Sequence, residues 1–124
     1  MSTKIAGGRM FAITFDMDTE ILAELYHQAS YNNAYGDIAR FLGQYGFTRQ
    51  QGSVYFGNDR VDAVTCVIAT QGLTREYPWF GPSVRDIRML RIEDNNNLKP
   101  AIDLEMTRTG NMPPPKQVNQ SNLF

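Results

Sequence analysis

The sequence predicts an α+β domain: one four-stranded antiparallel sheet with helices on one face, paired with a second copy. Three observations predict it. Apolar residues alternate with a period of two at Met10–Asp16. Two further strand-like runs flank a Gln51-Gly52 turn signal. Helical spacing occupies the stretches before and after that hairpin. With 124 residues, 42% of them hydrophobic, the chain can build one core and leaves no room for two.

Residues 1–9 are small, polar and glycine-bearing and read as a flexible leader to a domain spanning 10–106. From Met10 to Asp16, Phe11, Ile13 and Phe15 share one face, and Ala12, Thr14 and Asp16 share the other. Asp18 is placed to cap a short helix over 19–26 that carries Ile21, Leu22 and Leu25. Ala34, Ile38, Phe41, Leu42 and Tyr45 then recur at helical spacing, with Gly46 placed to stop them. Phe47–Gln50 and Ser53–Phe56 form the hairpin. Asn58 is expected to cap a helix carrying Val61, Val64, Val67 and Ile68, which runs to about Tyr77 and is stopped by Pro78. Pro82 closes a Trp79-Phe80-Gly81 loop, Ser83–Ile92 is the last strand, and Asp94–Asn97 is a turn. Leu98–Met106 suits a short helix or an extra strand, with Pro100 favouring a helix start. Residues 107–124, with three consecutive prolines, read as a disordered tail. The order β-α-β-β-α-β is the split, ferredoxin-like unit. Its uncovered sheet face calls for a partner, and a two-fold homodimer is the simplest.

Composition narrows the function. A formal net charge of −1 means that any RNA site is a local basic patch. Cys66 is the only cysteine, which excludes an internal disulfide and suits a reducing compartment. No apolar run is long enough for a bilayer and no secretory core opens the chain, so a cytoplasmic protein without membrane contact is expected. His27 is the sole histidine, and neither a zinc cluster nor a glycine-rich phosphate loop is present. Chemistry with a bound nucleotide cofactor is unsupported.

Asp16 is the first candidate for chemistry. If the open sheet face dimerises near its axis, two copies of Asp16 approach each other, which raises one pKa or recruits a cation such as Mg²⁺. Either outcome serves phosphodiester cleavage. The commoner use of an acid here is as a helix cap, for Asp16 or for Asp18. Ser53, beside the close-approach backbone of Gly52, offers a hydroxyl, although hairpin chemistry alone explains the pair and Tyr55 can be a packed aromatic. Arg85, Arg88 and Arg91 can form the missing basic patch; equally, Arg85, Asp86 and Arg88 can be an ion-pair network at a dimer interface. Trp79 and Phe80 could stack on bases, but anchoring a loop is the more usual role.

Met10-Phe11-Ala12-Ile13-Thr14-Phe15-Asp16, Gln51-Gly52-Ser53-Val54-Tyr55, Ser83-Val84-Arg85-Asp86-Ile87-Arg88 and Ile92-Glu93-Asp94 together resemble the virulence-associated protein D (VapD) family. Ala34-Tyr35-Gly36-Asp37-Ile38 resembles it too, and the match runs from Met10 to about Asp94. The resemblance implies a toxin-like endoribonuclease similar to the small dimeric nuclease of CRISPR adaptation, with RNA as substrate and an antitoxin as a further partner. It assigns Asp16 as principal catalytic acid or metal-holding residue, with Ser53 and Asp86 also tied to cleavage. Leu22 matches a position connected to activity through shape. Arg85 and Arg88 become phosphate contacts or supports, and Tyr55 accompanies the Ser53 turn. The leader, Gly36 and Gly43 in the long helix, and the sequence from Asn95 onward depart from the family pattern. A non-catalytic dimeric adaptor and a small-ligand regulatory domain are the rival readings of this fold.

Overall fold

The computed structural model describes residues 2–4, 10–27 and 30–110. They fall into two compact units, one within Lys4–Asn95 and a smaller one from Asn96 onward together with the first residues. The elements in chain order are β1 (Ser2–Lys4), β2 (Met10–Met17), α1 (Thr19–Leu25), α2 (Asn32–Gly43), β3 (Phe47–Gln51) and β4 (Val54–Gly57). There follow α3 (Ala63–Glu76), α4 (Phe80–Ser83), β5 (Val84–Ile92), β6 (Asp94–Asn96) and α5 (Lys99–Thr109).

The larger unit is built on a four-stranded sheet in the order β3-β4-β2-β5, with every neighbouring pair antiparallel. This is the expected split β-α-β arrangement. Ile13, Phe15 and Met17 of β2 are buried with Leu22 of α1, Ile38 and Leu42 of α2, and Leu73 of α3. Ala12, Thr14 and Asp16 therefore occupy the opposite face. Rings run in succession through this core: Tyr55 to Phe15 at 5.9 Å, Phe15 to Phe80 at 6.0 Å, and Phe80 to Trp79 at 6.4 Å. Trp79 then meets Tyr77 at 4.9 Å and Tyr77 meets Phe41 at 6.1 Å, so the series ends on α2. Trp79 and Phe80 thus anchor their segment on the core.

Several local expectations are corrected. Asp62, not Asn58, caps α3, its carboxylate accepting from the Thr65 amide at 2.8 Å. Asn58 accepts instead from Arg60 within the preceding turn. The buried stripe of α3 is Cys66, Ala69, Gly72 and Leu73, and the larger Val64, Val67 and Ile68 point outward. Small side chains let this helix lie close to its neighbours: a Cβ on Gly72 would come within 3.0 Å of the Phe41 ring. The segment around Pro82 closes into the short helix α4 instead of a loop. Asp94–Asn96, expected as a turn, pairs with Ser2–Lys4 of the leader as a two-stranded sheet.

In the smaller unit, Pro100 sits in the first turn of α5, the helix being the alternative its position favoured. The helix runs past Met106 to Thr109, where Gly110, at φ 73°, ends it in the left-handed conformation. Residues 107–109, placed in the tail by sequence, are therefore helical; residues 111–124 lie outside the described residues, as do residues 1 and 5–9 of the leader.

Phe80, 1% exposed, touches both the Phe15 ring of β2 and Trp79. Phe80→Ala is expected to cost about 3–5 kcal/mol. Denaturant titration at constant m-value checks this.

Candidate active site at the end of strand β2

The junction of β2 and α1 decides which acid is free. The Asp18 amide donates to the Ser83 carbonyl at 2.7 Å, fixing the chain where it leaves the sheet. The Asp18 carboxylate accepts from the Glu20 and Ile21 amides at 3.0 and 3.1 Å. It is the N-cap of α1. The Ile21 amide bond, followed by the Arg85 charge, holds its carboxyl below the ordinary 3.8, against an opposing contribution from burial. Asp16 takes no part in this cap and stands exposed two residues earlier.

In the sheet register Asp16 lies directly opposite Asp86. Cross-strand partners share a face, so both carboxylates stand on the face away from the buried Ile13 and Phe15. Like charges in this relation repel, and Arg88 relieves the repulsion. Its Nε donates to both oxygens of Asp86 at 3.0 Å, and those bonds raise the guanidinium's own pKa. The ladder slips beside this pair: Asp16 matches Asp86 and Met17 matches Val84, which leaves Arg85 outside the register as a bulge. Arg85 turns its Nη2 to within 3.5 Å of the Asp18 carboxylate. Arg91 pairs with Glu93 at 3.3 Å. Each of the three arginines on β5 is thus matched to a carboxylate of its own chain.

Ser53 reaches the same end of the sheet. Its carbonyl accepts from the Phe15 amide at 3.1 Å, one residue before Asp16. The turn that carries it needs Gly52, whose φ is 51°. Arg49 clamps this turn, its Nε donating to the Gly52 carbonyl at 2.7 Å. Arg49 also lies over the Tyr35 ring at 5.9 Å. Neither residue was singled out from the sequence. An arginine a few positions before a glycine turn was the available signal, and its stacking on a helix is a property of the fold alone.

Leu22 and Tyr55 are fully buried. They lie beneath the site, and any effect they have on it acts through shape. Burial pushes the Tyr55 phenol up, with the Arg49 charge opposing, and its hydroxyl has no hydrogen-bond partner among the described residues. Asp16 and Asp86 give the chain two carboxylates on one face. No group of three or more metal-binding side chains forms among the described residues. Mg²⁺ held by these two carboxylates alone would have to complete its shell with water and substrate oxygens.

No protein-family model matches the chain. Among curated proteins, it is 52% identical over 93 residues to Endoribonuclease VapD 2 of Riemerella anatipestifer, covering 75% of this chain and 99% of that protein. It is 48% identical over 95 residues to the Endoribonuclease VapD homolog of Helicobacter pylori, covering 77% and 98%. It is 43% identical over 84 residues to Endoribonuclease VapD 1 of Riemerella anatipestifer, covering 68% and 92%. Among the described residues, no helix is long and apolar enough to cross a membrane.

The capping assignment has a pH signature. A carboxyl lowered in the folded state contributes stability that is fully present above its unfolded value of 3.8 and is lost as pH falls below it. Asp18→Ala is therefore expected to lower the Tm at neutral pH, with the difference from wild type closing in acid. Thermal melts across this range check it.

Proposed function

The chain belongs to the VapD family of endoribonucleases, and on that premise we propose that it cleaves single-stranded RNA as a homodimer, with Asp16 as the catalytic base. The observation that carries the reading is an exposed carboxylate at the end of β2, left free by the Asp18 cap and set opposite Asp86.

The chemistry follows from what that end of the sheet holds. Asp16 takes the proton of a 2′-hydroxyl as its oxygen attacks the adjacent phosphorus. The bond to the 5′-oxygen breaks, and the departing oxygen takes a proton from solvent. Single-stranded RNA suits this, because a flexible backbone can reach in-line geometry. Arg88, oriented by Asp86, stabilises charge building on the phosphoryl oxygens. Asp86 positions Arg88, and Arg85, next to Asp86 in the chain and paired with Asp18, is a second guanidinium for the phosphate. Ser53 lends a positioning hydroxyl from the Gly52 turn. Exposed ion pairs such as Arg88–Asp86 are weak, so a phosphate can compete for the guanidinium.

The dimer closes over the open face of the sheet. Leu90 remains 45% exposed there, opposite Ala12 in the register, with Phe56 on the other side of Ala12. Apolar side chains at the centre of an uncovered face favour burial against a second copy. Asp16 then approaches its symmetry mate.

Purified wild type, Asp16→Asn and Ser53→Ala, incubated with labelled single-stranded RNA, test the proposal. Asp16→Asn is expected to slow cleavage by about 10²–10⁴-fold. Ser53→Ala should cut more slowly than wild type. Chelator should leave cleavage largely intact, and a 2′-deoxy substitution at the cut should abolish it. Equal cutting by all three proteins would remove the assignment, and RNA binding without turnover would favour the adaptor.

A further inference from the structure

A polar groove of about 650 Å³ opens between the first turns of α2 and strand β3. We infer that it holds one nucleotide of the RNA strand next to the scissile phosphate; the inference rests on the endoribonuclease reading and assigns that activity a subsite.

The lining is matched to a nucleotide. Arg40 and Arg49 bring guanidinium groups suited to phosphate oxygens, and Asn32 and Asn33 bring amides able to donate and accept at a base edge. All four residues are exposed. The volume falls within the range of about 300–1,000 Å³ usual for small-molecule sites. One wall is fixed by a network anchored on the buried Tyr26. The Tyr26 hydroxyl donates to Asp37 Oδ2 at 2.7 Å, and Arg40 pairs with Asp37 Oδ1. Burial, reinforced by Asp37, pushes the Tyr26 phenol up to about 12, so it remains a donor at any physiological pH.

Gly36 gains a reason here. It lies inside α2 at an ordinary helical position, where glycine weakens the helix and no turn requires it. A Cβ there would meet Arg40 Nη1 at 3.6 Å, an ordinary contact that the protein tolerates, so what the added methyl would take up is groove space.

The groove lies on the helix-bearing face, because Arg49 is cross-strand to the buried Tyr55, and it opens towards the sheet end where Asp16 stands on the other face. Arg49 lines the groove and donates to the Gly52 carbonyl, one residue from Ser53. Tyr35 lies under the same guanidinium, and the charge on Asp16 reaches it: the Tyr35 phenol is pushed up by burial first and, to a smaller extent, by Asp16. A strand leaving Asp16 past the Ser53 turn meets Arg49 next. An unpaired base suits the groove, because a single strand can splay its bases out of the stack.

The test measures RNA affinity and cut-site pattern on the full chain. In an Asp16→Asn background, Arg40→Gln and Asn33→Leu are expected to weaken binding of a fluorescent single-stranded RNA at least fivefold. In the otherwise wild-type chain they should relax the preference for the nucleotide beside the cut. Gly36→Ala separates binding from folding: its Tm should hold or rise while RNA affinity falls. Unchanged affinity and an unchanged cut pattern in all three variants, with Asp16→Asn inactive, would overturn the groove. Undiminished cutting by Asp16→Asn would overturn the endoribonuclease reading instead, and the cut pattern of the three groove variants would still decide the subsite.

Discussion

The Asp18 carboxylate closes the passage from β2 into α1, and the working end of the sheet depends on that contact. Two acids lie two residues apart. The one nearer the helix accepts its first amides, in the favourable field of the helix N-terminus. The other is spared that duty and keeps its place on the uncovered face. The same residue ties in the neighbouring strand, because its amide donates to Ser83 immediately before β5 begins. The register that sets Asp86 opposite Asp16 starts from this anchor, and the bulge at Arg85 takes up the mismatch.

Charge at this end is local. A chain of net charge −1 holds Arg85 and Arg88 in place by giving each a carboxylate partner. Such pairs stabilise the fold little because water screens them. Their value is positional: a guanidinium already oriented at a sheet end loses less freedom when it turns to phosphate. Arg49 belongs to the same set, with aromatic and carbonyl partners in place of a carboxylate. Behind these side chains the succession of rings from Tyr55 to Phe41 gives the site rigid support.

The sequence made β2, α2, the hairpin and the Asp18 cap readable because each has a local cause: strict alternation, a wide apolar stripe, a glycine turn and a capping acid. Helix α3 was misjudged at its face. Its large apolar residues lie outward, and close packing selects Cys66, Ala69 and Gly72 for the inside. Periodicity weights size and cannot see proximity. The β1–β6 pairing was invisible because short polar strands carry no pattern. At the site, Asp16 could be nominated from strand parity alone, whereas Ser53 and Asp86 needed the family resemblance. Arg49, Tyr35 and the groove arise from elements brought together only by folding.

The central claim is a division of labour between two neighbouring carboxylates, and single-turnover cleavage by Asp16→Asn and Asp18→Asn measures it directly. Asparagine caps helices about as well as aspartate, so Asp18→Asn should keep both its fold and nearly all of its cleavage rate. Asp16→Asn should keep its fold and lose cleavage by at least two orders of magnitude, the lower end of about 10²–10⁴-fold for a general base. A larger loss in Asp18→Asn than in Asp16→Asn, with both proteins folded, would contradict the account.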